Sequence, residues 1–164
     1  MEMWKPIGAF PGYSVSDRGR VRNDATQHIL RTTVNQGGHE FVGMMRHGDQ
    51  QKRIVSLLVA KSFLPEPKLR TFNTPIHLDG DLENNDVENL MWRPRWFAVA
   101  YQKQFHRHHR RGFVVPIEDI HTGERFNNSW EAATKYGLID EEIRLATVHH
   151  TYVWPTYQEF RVVN

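Results

Sequence analysis

Residues 75–100 read PIHLDGDLENNDVENLMWRPRWFAVA and gather the side chains in the chain best suited to chemistry. One histidine, His77, precedes five carboxylates (Asp79, Asp81, Glu83, Asp86 and Glu88) and the amides of Asn84, Asn85 and Asn89. An imidazole that titrates near neutrality can take a proton from water, and carboxylates can hold a hard cation beside it. That combination would suit metal-assisted hydrolysis of a phosphodiester. Acids then vanish from Asn89 to Ile117, where Arg93, Arg95, Lys103, Arg107, Arg110 and Arg111 are joined by His106, His108 and His109. A carboxylate-rich loop beside a basic surface fits a polyanionic partner. A solvated helix face followed by a basic linker is the plainer reading of the same charges.

Competing chemistries are poorly served. A calcium loop of the EF-hand type counted from Asp79 would need glycine at its sixth place and glutamate at its twelfth, where Asn84 and Leu90 stand. His106, His108 and His109 lack the spacing of four that puts two ligands on one helix face, and a phosphate-facing basic tail explains them better. The chain has no cysteine, which excludes disulfide scaffolds, thiolate zinc sites and cysteine nucleophiles and fits a reducing compartment. With 39% apolar and 24% charged residues, the 164-residue chain has the composition of a folded soluble protein rather than a disordered one. The start MEMWKPIGAF is no signal peptide, and the run IVSLLVA is too short to span a bilayer. A cytoplasmic protein with no membrane contact is the expectation.

Three segments must position these residues. Residues 1–48 read as a small basic β-module. Tyr13–Ser16 forms one strand, Asp17-Arg18-Gly19 a turn, and a second strand restarts at Arg20. Asn35-Gln36-Gly37-Gly38 separates a second β-rich pair. Residues 49–112 open with an amphipathic helix from Ile54 to Phe63, stopped by Pro65 and Pro67. A strand leading to His77, a strand at Asn89–Trp92 and a helix from Pro94 to about His106 follow. Residues 113–164 begin with a β-hairpin turning at His121-Thr122-Gly123. A helix capped by Ser129 and ended by Gly137 comes next, then a second helix capped by Asp140. That helix pair is either a helix-turn-helix or an αα-hairpin packed on the hairpin before it. The fold class is α+β. Segments of about 50 residues bury little core alone, so they must pack together or be ordered by a partner.

In that order the segments resemble the phage-type HNH homing endonucleases. WKPIGAFPGYSVSDRGRVRN resembles the nuclease-associated modular domain that precedes the HNH core, with Trp4, Gly12, Tyr13, Val15, Gly19 and Val21 on the family pattern. VSLLVAKSFLP and IHLDGDLENNDVENLMW resemble the core itself, where His77, Asp79, Gly80, Asn84, Asn85, Asn89, Leu90 and Trp92 match in identity and spacing. NSWEAATKYGL resembles the C-terminal helix-turn-helix of the same enzymes.

The resemblance implies a ββα-metal hairpin and helix, with His77 as general base and Asn89 as the residue that braces the loop and orients it. It also implies a magnesium or manganese ion, and here the chain departs from the family. The two ligand positions hold Ile76 and Ala98, neither of which has an oxygen or nitrogen in its side chain. Asp79 and Asp81 are the nearby carboxylates that could substitute, although HLDGD more plainly uses them to shape the loop. The expectation is therefore a monomeric, elongated binder of double-stranded DNA whose cleavage chemistry is weak or lost, acting in the cytoplasm, that of a bacterial host cell if the chain is of phage origin. An active HNH endonuclease is the alternative, and a module binding a phage or host protein is a third. Arg18, Arg20, Arg22, Arg93, Arg95, Lys103, Arg107, Arg110, Arg111, Lys135 and Arg144 are the candidate phosphate contacts.

Overall fold

The computed structural model describes residues 1–106 and 114–163. The chain divides into two compact units, Met1–Ala98 and Val99–Asn164, and the division falls inside a helix.

The first unit opens with an antiparallel sheet of β1 (Trp4–Pro6), β2 (Tyr13–Ser16) and β3 (Val21–Asn23). The turn expected at Asp17–Gly19 forms, with Gly19 at φ +80° and the Ser16 hydroxyl accepting from the amides of Arg18 and Arg20 at 3.3 and 3.0 Å. The second β-rich pair becomes a three-stranded sheet of β4 (Thr32–Val34), β5 (Glu40–Arg46) and β6 (Asp49–Ile54). Asn35 closes its first turn by accepting from the amides of Gly37 and His39 at 3.0 and 2.9 Å. Strand β6 was not expected. Its sequence, DQQKRI, carries no alternation of apolar and polar residues, and its pairing with β5 rests on backbone bonds and a turn at His47 and Gly48, both at positive φ.

Helix α1 (Val55–Phe63) follows β6 directly and ends at an extended Leu64, the residue before Pro65. Its buried face of Val55, Leu58 and Val59 belongs to one core with Val15, Val42 and Leu90. Because α1 touches β2, β5, β6 and the hairpin that follows, both sheets and that hairpin share a single interior. The hairpin consists of β7 (Thr74–His77) and β8 (Leu90–Arg93), paired antiparallel with His77 opposite Leu90. A single 3₁₀ turn, Val87–Asn89, leads into β8. Helix α2 (Arg95–His106) starts just after Pro94, whose carbonyl accepts from the Ala98 amide at 3.0 Å. The order of elements, strand, strand and helix, is the expected one.

The second unit contains a sheet in the order β10 (Arg125–Phe126), β9 (Ile117–Asp119), β11 (Phe160–Val162). The hairpin turns as expected, with Gly123 at φ +73° and the Asp119 carboxylate accepting from the His121 amide at 2.9 Å. Strand β11 was not foreseen, since FRV is too short to carry a pattern. Helices α3 (Ser129–Tyr136) and α4 (Asp140–His149) are joined through Gly137 in the left-handed conformation. Both expected caps shift by one residue. Asn128 caps α3 by accepting from the Glu131 amide at 2.9 Å, and Asp140 lies inside α4. Ser129 and Asp140 instead meet each other, hydroxyl to carboxylate, at 2.5 Å in the interior beside Leu138 and Ile143. Among the described residues, no helix is long and apolar enough to cross a membrane.

Gly19 joins the first sheet to the loop after His77. A Cβ at this position would lie 2.6 Å from Asn85 Cβ, on a backbone at φ +80°. Gly19→Ala should therefore cost about 1–3 kcal/mol through strain and overpacking together. Gly8→Ala, where nothing lies within 4 Å, should change stability by no more than about 0.5 kcal/mol. Urea unfolding of the two variants checks the contrast, and equal midpoints would refute it.

Candidate functional site

His77 ends β7 and is 1% exposed. Its Nε2 lies 3.0 Å from Asn85 Oδ1. Asn85, itself 3% exposed, donates through Nδ2 to Glu40 Oε2 at 2.7 Å and to the Glu83 carbonyl at 3.3 Å. Glu40 begins β5, and its other carboxylate oxygen accepts from the Thr32 hydroxyl of β4. A chain of four polar side chains thus runs from the central sheet to the imidazole. The Nδ1 atom of His77 is buried without a hydrogen-bond partner, as is Nδ1 of His39.

Burial holds the His77 pKa below its ordinary value of 6.5. The bond to Asn85 offsets part of that shift, the nearby His39 adds to it, and Asp79 and Asp81 oppose it more weakly. The ring is accordingly neutral at pH 7.

The loop between β7 and β8 is held by its own acids and amides. Asp79 Oδ1 accepts from the Asp81 amide at 2.9 Å and from Asn89 Nδ2 at 2.8 Å, while Oδ2 accepts from Asn84 Nδ2 at 2.6 Å. Asn89 returns a bond from the Asp79 amide to its Oδ1 at 3.0 Å and donates to the Asn84 carbonyl at 2.9 Å. Asp81 accepts from the Glu83 amide at 3.0 Å. The bonds to the Asp81 and Glu83 amides are the short-range side-chain-to-backbone bonds that make Asx turns. Burial alone would raise the Asp79 pKa, but the bonds from Asn84, Asn89 and the Asp81 amide bring it below the ordinary value.

Asn89, assigned from the resemblance as the brace, makes its side-chain bonds within the loop; the side chain bonded to His77 is that of Asn85. The sequence offered a thin signal for Asn85, an amide inside the matching motif. It offered none for Glu40, which reaches the site only through the fold.

Ile76 is buried at 3% exposure and Ala98 is half-buried on α2, and neither can donate a lone pair. Both oxygens of Asp79 are engaged, as is one of Asp81. Among the described residues, no group of three or more His, Asp or Glu side chains is arranged to hold a metal ion. The donors present do not fit the divalent cation that the resemblance implies.

The candidate phosphate contacts separate by environment. Arg18, in the β2–β3 turn, and Arg95 and Lys103, on α2, are exposed and carry no ion pair among the described residues. Arg20 is paired with Glu2, and Arg22 sits 3.4 Å from Asp24 and 4.4 Å over the Trp4 ring. Lys135 is paired with Glu124, and Arg144 is half-buried and electrostatically coupled to Asp140. Arg93 is buried, donates to the Trp92 carbonyl at 2.9 Å and faces Phe97. Arg107, Arg110 and Arg111 lie outside the described residues. Arg46, His47 and Lys52 are exposed at and beside the β5–β6 turn and were not among the candidates, because that turn was not read as a hairpin.

The depressed His77 pKa fixes a pH dependence. An unfolded histidine binds a proton near 6.5 and the folded one only at lower pH, so stability is complete above that value and falls as pH drops below it. Urea unfolding between about pH 7.5 and pH 5 should show a steeper loss for the native chain than for His77→Gln. Parallel profiles would mean that His77 titrates normally.

Residues 2–43 match the family described as the NUMOD4 motif. An uncharacterized HNH endonuclease of Acanthamoeba polyphaga mimivirus is 30% identical over 89 residues, covering 54% of this chain and 26% of that protein. A second from the same virus is 35% identical over 94 residues, covering 56% of this chain and 23% of that protein. The chain thus spans about a quarter of the length of these relatives. A solved structure described as DNA binding and cleavage by the HNH homing endonuclease I-HmuI aligns over 98% of both chains with a TM-score of 0.56 and 21% identity. That likeness is one of fold.

Proposed function

We propose that the chain is a member of the HNH homing endonuclease family that binds double-stranded DNA and whose phosphodiester cleavage is weak or lost. One observation carries the second half. The positions that would hold the cation are filled by a buried isoleucine and an alanine, and the nearest carboxylate, Asp79, has both oxygens engaged in the loop. Without a cation the scissile phosphate lacks the charge neutralisation that speeds its hydrolysis. DNA binding draws support from the exposed Arg18, Arg95 and Lys103, and from the likeness in fold to I-HmuI, which binds DNA. In this reading residues 1–48, 49–112 and 113–164 serve as three contact modules, the last docking as a helix-turn-helix.

A second reading, an active HNH endonuclease with His77 as general base and magnesium or manganese as cofactor, draws on a different observation. The imidazole is neutral near pH 7 and its Nδ1 is unpartnered, the state a proton acceptor requires.

Two measurements separate these readings. In gel shifts, log K should fall with log salt at a slope of about −0.9 per phosphate contact, near −5 for six contacts. Arg95→Ala with Lys103→Ala should make that slope shallower by about 2. Supercoiled plasmid incubated in magnesium or manganese should remain supercoiled, as it does with His77→Ala. The double change Ile76→Asp and Ala98→Asn should then introduce nicking, provided the variant keeps its native circular dichroism. Nicking by the native chain that vanishes in His77→Ala would establish the active reading, and no gel shift at low salt would leave a protein partner instead.

A further inference from the structure

The buried polar chain ends on a group that cannot donate, and this has a consequence for the imidazole. A carboxylate is acceptor-only when ionised, whereas a side-chain amide has one accepting and one donating end. Glu40 Oε2 lies 2.7 Å from the Asn85 amide, so the Asn85 atom facing it must be the donating nitrogen. The carbonyl oxygen of Asn85 is thereby turned toward His77, at 3.0 Å from Nε2. An amide oxygen can only accept, so Nε2 must carry the ring proton, and a neutral ring then keeps its lone pair on Nδ1. The second Glu40 oxygen is engaged by the Thr32 hydroxyl, which anchors the carboxylate on the sheet. Asn85 also donates to the Glu83 carbonyl at 3.3 Å, a longer bond to a neutral acceptor that favours the same orientation more weakly than the carboxylate does.

We propose that Glu40, a residue of the N-terminal module, is a positioning residue that sets the tautomer of His77 through Asn85 and leaves Nδ1 as its basic nitrogen. The N-terminal module then does more than contact a partner: it determines which nitrogen of the candidate general base can take a proton. The chemical meaning of the proposal rests on the family reading of His77, but its geometry and its test do not. Replacing Glu40 by glutamine removes the constraint while keeping shape. A glutamine can present either its oxygen or its nitrogen to Asn85, so Asn85 can reverse at the cost of the longer Glu83 bond alone and offer its nitrogen to His77. In that arrangement Nε2 must accept, and the ring proton moves to Nδ1.

Long-range proton–nitrogen NMR of the full-length chain at a pH where His77 is neutral reads the tautomer without any nuclease assay. The native chain should show His77 as the Nε2–H form. Glu40→Gln should lower the ratio of Nε2–H to Nδ1–H by about tenfold or invert it, the scale of one well-formed hydrogen bond. The backbone amide spectrum should otherwise keep its native pattern. A merely structural role for Glu40 would leave the tautomer where it was. Glu40→Ala supplies a second variant should Glu40→Gln not fold: with no carboxylate facing it, the Asn85 amide loses the acceptor that fixes its orientation, and the Nε2–H preference should fall in the same way. A native chain with the proton on Nδ1, or a Glu40→Gln or Glu40→Ala spectrum with an unchanged tautomer, would overturn the proposal. Absence of DNA cleavage would bear on the family reading alone.

Discussion

A neutral imidazole taken out of water needs partners, and at His77 they come from outside its own strand. Nε2 is satisfied by Asn85, Asn85 by Glu40, and Glu40 by Thr32, so one bond made badly leaves several polar groups buried without compensation. That requirement ties the loop after β7 to the sheet containing β4 and β5. The packing is consistent with it. Gly19 leaves room for Asn85 by having no Cβ, and the Asp17 carbonyl accepts from the Val87 amide at 2.7 Å. The apolar core around α1 brings the sheets close to the hairpin, and the polar chain fixes how they meet.

The acidic loop illustrates how the same residues can serve opposite ends. Five carboxylates within ten residues suggest a cation site, yet those nearest His77, although exposed, accept bonds from backbone amides and asparagines of their own loop. Asp79 accepts three bonds, and its lowered pKa reflects protein donors rather than any ion. A carboxylate used this way stiffens the hairpin and holds the backbone around His77. It is poorly placed to compete for a hydrated divalent cation, which demands oxygen lone pairs in a tight octahedron.

A comparable division runs through the basic residues. Arg20, Arg22 and Lys135 have local carboxylate partners, and Arg22 also lies against Trp4, so their charge is partly compensated and their side chains partly immobilised. Arg18, Arg95 and Lys103 keep their charge for solvent or a polyanion. Counting cations therefore overstates the field available to a partner, and the exposed ones define where it lies.

Local signals are short-range, and they fixed much of the chain. The turn at Asp17–Gly19, the helix before Pro65, the ββα arrangement around His77 and the hairpin at His121–Gly123 all follow from residues that act on neighbours a few positions away. That Ile76 and Ala98 stand at ligand positions came from the family resemblance alone, and only their lack of a donor atom is independent of the fold. What no local rule could supply were elements and contacts made by distant parts of the chain. Strands β6 and β11 exist because a partner backbone is there to pair with them, and Ser129 bonds Asp140 instead of capping its helix because packing brings the two together. Glu40 reaches Asn85 for the same reason. A hydrogen bond depends on distance in space, and only the folded chain brings residue 40 within 2.7 Å of residue 85.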